Sequence, residues 1–219
     1  MSAVIIVGTG DHARVVVDLA RAAGHEISGM VEPDAARLTH ADGQSGAPIL
    51  GSLESGNAWM DAYRESAFVV AIGANDVRQR AYERCLELGL RPIALVHPSA
   101  AILGGATVGP GAQACAMAMI GVSARIDANV IVNSMASVDH DAVIEAHAFI
   151  GPGARLAGRV RVGAGAHVGI GAVVREGIMI GRGAFVAAGA VVVADVAPGA
   201  RVAGVPARLM DSDPMEGNE

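Results

Sequence analysis

Aromatic side chains are nearly missing from this 219-residue chain: Phe, Tyr and Trp make up 3% of it, although 52% of its residues are hydrophobic. A core filled by large rings is therefore excluded, and its volume must come from Val, Ile, Leu and Ala. With 29 glycines among them, small side chains used regularly point to a repetitive architecture that offers the same narrow space at each layer. Cysteine is equally scarce. Cys85 and Cys115 lie far apart without ligand-like spacing and read as buried small hydrophobes in a reducing compartment, so no disulfide frame or metal site is expected. Positive charge is in deficit, with 16 Lys and Arg against 22 Asp and Glu, which leaves no basic footprint for a nucleic acid. No apolar run approaches the length of a membrane span. The start, MSAVIIVGTGDHARVV, has no basic region before a signal-type apolar run. A soluble cytoplasmic protein is the expectation.

What is present divides near His97-Pro98. Before it, short apolar runs alternate with helical spacing. Ala3 to Val7 reads as a buried strand ending at Gly8. Val15, Val16, Leu19 and Ala22 mark a helix from His12, stopped by Gly24. Ile27 to Val31 and Ala67 to Ile72 read as further strands. Asp76 to Leu88 reads as a second helix, with Asn75 or Asp76 as N-cap and Gly89 as C-cap. Pro92 to Val96 reads as a last short strand. The alternation predicts a parallel sheet in a small Rossmann-like domain, residues 1–96, too short for a complete six-stranded dinucleotide fold.

After it, a period of six takes over. Every sixth residue from Val96 to Val192 is Val, Ile or Leu except Ala114. Four places after each stands a second column, Ala100, Ala106, Ala112 and onward to Val196, of Ala, Val or Ile. The register does not slip. The aliphatic column is expected to point inward, the small residue to let the chain turn a tight corner, and the frequent Gly to supply backbone angles for that corner. A single coil cannot bury its own apolar face, so the coils must stack into one continuous core. Three hexads per coil give a triangular prism over residues 97–210, followed by a polar tail, 211–219, that reads as disordered.

The six-residue columns resemble the hexapeptide-repeat acyltransferases, whose fold is an all-β left-handed parallel β-helix and whose members are typically trimers with CoA between adjacent prisms. The closing Gly204-Val205-Pro206-Ala207-Arg208 is also typical of that family. Three further segments narrow the resemblance: Gly8-Thr9-Gly10-Asp11-His12-Ala13, Ala71-Ile72-Gly73-Ala74-Asn75-Asp76-Val77-Arg78 and His97-Pro98-Ser99-Ala100. Together with the repeat they look like the subfamily of sialic-acid O-acetyltransferase-like proteins and nucleotide-4-amino-sugar N-acetyltransferases of the bacillosamine and perosamine type. Asn133-Ser134-Met135-Ala136-Ser137-Val138-Asp139-His140-Asp141 is similar to the segment carrying the catalytic His and its acidic neighbour there. The resemblance implies His140 as general base, Asp141 as the group that tunes it, and CoA contacts at Phe149, Ile170, Ala188 and Arg208. Two departures stand out. Asp11 replaces the second Gly of the usual Gly-Gly-His turn, and Phe149 stands where several relatives carry a CoA-contacting His, with His147 two places earlier.

The chemistry fits these residues. Acetyl transfer to an amine needs a base near neutrality, which a His supplies, and a carboxylate can fix its tautomer and raise its basicity. The developing oxyanion needs an N–H donor, for which a backbone amide at a prism corner is available. No metal is required. His140, flanked by Asp139 and Asp141 in a charge-poor stretch, is also compatible with a merely polar corner; His147 and His167 read as site or surface groups, and His97 as structural. The Gly8 to Ala13 turn, with Glu32 about twenty residues on, partly fits a dinucleotide fingerprint. NAD binding is thus a competing reading, weakened by the small sheet. The same turn suits the phosphates of a nucleotide-sugar. Gly10, Asp11, His12, Ala13, Glu32, Asp34, Gly73, Asn75 and Arg78 are the expected substrate contacts. The expected activity is acetyl-CoA-dependent N-acetylation of the 4-amino group of a nucleotide-linked amino-dideoxy sugar. O-acetylation of sialic acid or another sugar hydroxyl, and a non-catalytic nucleotide-sugar-binding protein, remain open alternatives at this point.

Overall fold

The computed structural model describes residues 3–40, 46–54, 57–63 and 66–210; the segment read as a disordered tail lies outside them. The chain begins with β1 (Ala3–Val7), α1 (Asp11–Ala22) and β2 (Glu26–Glu32). β3 (Ile49–Ser52), α2 (Asn57–Tyr63), β4 (Ala67–Val70), α3 (Asn75–Glu87) and β5 (Arg91–Pro92) follow. The five strands form one parallel sheet in the order β3-β2-β1-β4-β5. Every residue from Val4 to Val7 and from Phe68 to Val70 is fully buried, as expected of central strands covered on both faces. On one side Val4, Ile6, Met30 and Val69 pack on α1; on the other, Ile5, Val7, Val31, Phe68 and Val70 pack on α2 and α3 through Trp59, Ala81, Tyr82 and Cys85.

Two sequence expectations change here. β3, α2 and a 3-10 turn at Ala35–His40 carry no periodic signal: four residues beside Pro48, and seven residues of helix, are too short to show one. The expected strand Pro92 to Val96 is divided. Arg91–Pro92 closes the α/β sheet, whereas Leu95–Val96, here β6, pairs with Gln113–Ala114 and is the first rung of the prism.

The prism has three parallel faces. The first runs from β6 through Gln113–Ala114, Ile131–Val132, Phe149–Ile150, His167–Val168 and Phe185–Val186 to Arg201–Ala203, closed by antiparallel Arg208–Leu209. The second begins at Ala101–Ile102 and the third at Thr107–Val108. Each strand pairs with the strand three hexads later, as Ser137 with Arg155, Val143 with Arg161 and Phe149 with His167. Both sequence columns point inward: Ala136, Val138, Ala142, Ile144, Ala148 and Ile150 are all fully buried in one continuous core. The stack is left-handed. Ile102, in the first coil, stays 37% exposed because no coil lies beneath it.

The corners differ in detail from the expectation. The left-handed backbone falls three places after the inward aliphatic residue, and the small residue at the fourth place is buried behind it. Gly fills most such sites, but Met117, Ser123, Asn129, Met135, Asp141, His147 and Arg159 also adopt positive φ. Each non-Gly, non-Asx residue there costs about 1–2 kcal/mol, which the stacked core must offset.

The two halves meet over the first face. α1 is sandwiched between its own sheet and the prism residues Leu95, Cys115 and Ile131. Cys85 and Cys115 are free and buried, and burial pushes both thiols up to about 12, as suits packing residues rather than nucleophiles. No described helix is long and apolar enough to cross a membrane.

Candidate active site

His140 stands on the corner between the second and third faces, two places after the inward Val138. The Asp139 carboxylate accepts the His140 backbone N–H at 2.7 Å, which pins the start of the corner. Asp141 sits in the left-handed region at φ 57, a conformation Asp tolerates better than most residues. That turn brings its Oδ2 to 2.8 Å from His140 Nδ1. In the neutral ring, the carboxylate takes the Nδ1–H and leaves the Nε2 lone pair free. The hydrogen bond to Asp141, followed by the charges of Asp139 and Asp141, raises the imidazole pKa above its ordinary value, against desolvation and Arg159. The side chain is 43% exposed.

One coil above, the ring lies against Gly158. A Cβ there would come within 2.6 Å of His140 Cε1 and 2.9 Å of Cδ2. Arg159 donates its backbone N–H to the His140 carbonyl at 2.9 Å and pairs through its guanidinium with Glu176. No backbone hydrogen bond among the described residues uses the Gly158 N–H.

A second concave site opens at the carboxyl ends of β1, β2 and β4, the usual crevice of an open α/β sheet. Its volume is about 680 Å³. Six expected residues line it: Gly10, Asp11, His12, Glu32, Asp34 and Gly73. Gly8, at φ 117, lets the turn approach Ala71, whose carbonyl oxygen would lie 2.9 Å from a Cβ. Glu32 is only 5% exposed and accepts hydrogen bonds from the Thr9 hydroxyl and, at 3.5 Å, from the Asp34 N–H. His12 Nε2 is 3.2 Å from Oε1 of Gln113 on the first prism face. Burial, followed by the opposing effect of the Gln113 bond and by the Arg78 charge, leaves the His12 pKa below its usual value.

Three expected contacts lie elsewhere. Ala13 is fully buried in the packing of α1. Asn75 donates to the carbonyls of Gly165 and Ala166 at 2.9 and 3.1 Å. Arg78 is completely buried and spends its guanidinium on the carbonyls of Ile72, Gly73, Asn129, His147 and Ala148 and on Asn75 Oδ1, at 2.7–3.2 Å. These two side chains fasten the halves together instead of reaching the crevice. Conversely, Thr9, Arg37, Leu53, Glu54, Val77, Arg80 and Arg84 line it without having been singled out. A signal existed for three of them, because Val77, Arg80 and Arg84 share one face of α3 at helical spacing.

The expected CoA residues occupy the first face and the corner beyond it. Phe149 stacks on His167 at 4.6 Å, His167 on Phe185 at 5.1 Å, and Arg201 lies over the Phe185 ring at 4.4 Å. Ile170, 58% exposed, and the exposed Ala188 lie one coil apart on the corner between the first and second faces. Arg208 is exposed in the closing strand. His147 is taken up by Asn129 and, edge-on, by Tyr82. His97 Nδ1 lies 2.7 Å from the Ser99 hydroxyl, a local turn. No cluster among the described residues has the composition of a metal site. Within one chain the crevice is lined by residues 8–84 alone, the Ile170 corner joins the first and second prism faces, and His140 stands between the second and third.

A stacked hexad prism with a polar His–Asp pair on one corner, joined to an α/β domain with a nucleotide-type crevice, defines a hexapeptide-repeat acyltransferase. Comparison with known proteins agrees. Residues 3–85 match the PglD N-terminal domain. Perosamine N-acetyltransferase from Caulobacter crescentus, solved with CoA and GDP-perosamine, is 32% identical with a TM-score of 0.87, over 97% of this chain and 98% of that one. The acetyltransferase domain of PglB from Neisseria gonorrhoeae, solved with acetyl coenzyme A, is 32% identical with a TM-score of 0.85, over 95% and 98%. No match was found among curated proteins. The chain belongs to the nucleotide-amino-sugar N-acetyltransferase subfamily of the hexapeptide-repeat acetyltransferases.

Proposed function

We propose that this protein transfers the acetyl group of acetyl-CoA to the 4-amino group of a nucleotide-linked amino-dideoxy sugar. The observation that carries the reading is the His140–Asp141 pair, with Nδ1 engaged at 2.8 Å and the lone pair left on Nε2, in a chain that also holds a nucleotide-type crevice. Residues 1–96 hold the nucleotide-sugar and residues 97–210 hold CoA and the chemistry. His140 Nε2 accepts the proton of the amine as its nitrogen attacks the thioester carbonyl carbon. Asp141 stabilises the imidazolium so formed. A corner N–H, for which the Gly158 amide beside the ring is the best placed, donates to the developing oxyanion. Collapse breaks the carbon–sulfur bond, and the imidazolium returns its proton to the leaving thiolate. The products are the N-acetyl sugar and free CoA.

Assembly follows from the same placement. The crevice is lined by residues of the α/β half alone, without His140, so we assign the sugar held by one copy to His140 of another. The corner between the first and second faces supports this, because Met117, Met135 and Ile170 are 63%, 63% and 58% exposed there without a charged neighbour. We assign it to a homotrimer, with CoA between adjacent prisms against Phe149, Ile170, Ala188 and Arg208. The exposed neutral edge suits the pantetheine arm, and Arg208 its phosphates. The setting is the cytoplasm, where acetyl-CoA and nucleotide-sugars are made, and the product serves polysaccharide synthesis. A CoA-release assay across UDP- and GDP-linked 4-amino sugars, with product mass analysis, tests the reading. Release with a 4-amino sugar and an N-acetyl product is the expected result. Release only with hydroxyl acceptors, or none, overturns it.

A further inference from the structure

The corner that carries His140 repeats once per coil, and the equivalent places read Gly104, Val122, His140, Gly158, Glu176 and Ala194. Glycine is not required at this place by the backbone, since Val, Glu and Ala occupy it and Gly158 is outside the left-handed region. Apart from Gly104, the other prism glycines have visible backbone reasons. Gly105, Gly153, Gly165 and their equivalents take positive φ, while Gly121, Gly151 and Gly163 would drive a Cβ into the backbone of the next coil. At Gly158 the three atoms nearest to a Cβ are all from the His140 ring, Nε2 closest, and none is backbone.

We propose that Gly158 is a positioning residue for the base: its missing side chain is the space in which the His140 ring stands, and Gly158 and Asp141 together fix where Nε2 points. The inference rests on His140 being the base. Asp141 holds the ring by Nδ1 alone, and one hydrogen bond still lets a half-exposed imidazole swing about its side-chain torsions. The flat surface over Gly158 removes that freedom on the Nε2 side. Ordinary carbon contacts need about 3.5–4.0 Å, so a methyl group at 158 must move the ring by on the order of 1 Å. A misplacement of that size costs about 100-fold in rate.

The test compares Gly158→Ala with Gly104→Ala, which occupies the same place three coils below and meets nothing within 4 Å. Gly158→Ala is expected to lower kcat about 100-fold with the KM for acetyl-CoA unchanged, while Gly104→Ala keeps the parent rate. Imidazole carbon NMR titration gives a readout independent of turnover. In Gly158→Ala the displaced ring loses Asp141, and its pKa falls back toward the ordinary histidine value. An unshifted titration overturns the positioning role, even should the acceptor prove to be another sugar. A double variant guards against misfolding. His140→Ala/Gly158→Ala is expected to melt with His140→Ala, because the obstructing ring is gone; a further drop in melting temperature shows that glycine serves the backbone and overturns the proposal.

Discussion

Gln113 decides which nitrogen of His12 carries the proton. Its Nε2 donates to the Val70 carbonyl at 2.7 Å, so its Oε1 is turned toward His12 Nε2, 3.2 Å away, and can only accept there. The neutral His12 ring is thereby the Nε2–H tautomer, with Nδ1 left as an acceptor. A residue of the prism thus sets the hydrogen-bonding character of a residue lining the crevice of the α/β half.

Gln113→Met removes that control at similar volume. The expected outcome is a KM for nucleotide-sugar about 5-fold higher, from loss of one neutral hydrogen bond worth about 1 kcal/mol, with the KM for acetyl-CoA unaltered. The unsatisfied Val70 carbonyl also costs about 1–3 kcal/mol of stability. Steady-state kinetics with each substrate varied checks this, and equal KM values in variant and parent refute it.

Arg78 separates a structural role from a binding role. Its guanidinium reaches five backbone carbonyls contributed by both halves of the chain, and burial lowers its pKa to about 10. Arg78→Met takes their donor from those carbonyls, of which that of Ala148 keeps the Ile131 N–H at 3.1 Å, and is expected to cost at least about 3 kcal/mol, at about 1–3 kcal/mol for each buried acceptor left unsatisfied. The single Trp, Trp59, is buried beside β3, with its indole N–H on the Ser52 carbonyl. Its fluorescence during urea unfolding reports the α/β half directly. Normal unfolding combined with a selective loss of nucleotide-sugar binding returns Arg78 to the crevice and defeats the structural reading.

The sequence made these outcomes unequally legible. The hexad columns could be read because every coil repeats the same inward geometry, so Val138 and Ala142 are fixed by their neighbours' pattern. His140 stood out as a polar exception to that pattern. Arg78 was misplaced because a guanidinium on a helix beside a glycine-rich turn looks the same from sequence whether it faces a ligand or carbonyls more than thirty residues past the next domain boundary. Gly158 was invisible for the opposite reason: among so many glycines nothing local distinguishes one that faces backbone from one that faces an imidazole. Arg37 and Glu54 sit on irregular segments, where no periodicity assigns a face.

Asp141→Asn isolates the tuning of the base. Asn also tolerates the left-handed conformation, so the corner is retained while the charge is lost. In the parent the raised His140 pKa means that the rate climbs as pH rises through a value above the ordinary 6.5. In the variant that limb moves to lower pH, toward about 6.5, and the plateau kcat falls about 10–100-fold because the imidazolium is less stabilised. His140→Asn should lose about 10²–10⁴-fold with CoA affinity kept. A limb that stays in place in Asp141→Asn excludes Asp141 as the cause of the raised pKa.

Three other histidines predict the pH dependence of stability, with the opposite sign. His12, His147 and His167 are all depressed below 6.5, in each case first by burial and also by the Arg78 charge. A depressed histidine is neutral in the fold while the unfolded chain takes up the proton, so the unfolded state binds more protons below about 6.5. Stability is then fully present above 6.5 and is lost as pH falls through the folded values. The Arg78 guanidinium has no carboxylate among its hydrogen-bond partners, so its charge opposes protonation of all three rings, with Glu83 working against it at His147. The urea midpoint followed by Trp59 should therefore hold between pH 8 and about 7 and decline between about 6.5 and 5. Exposed His140, with its raised pKa, pulls weakly the other way. Replacing His147 by Gln keeps an acceptor for Asn129 and should flatten part of the decline. A midpoint that is constant down to pH 5, or a decline unchanged in His147→Gln, would show that these imidazoles do not govern the acid limit.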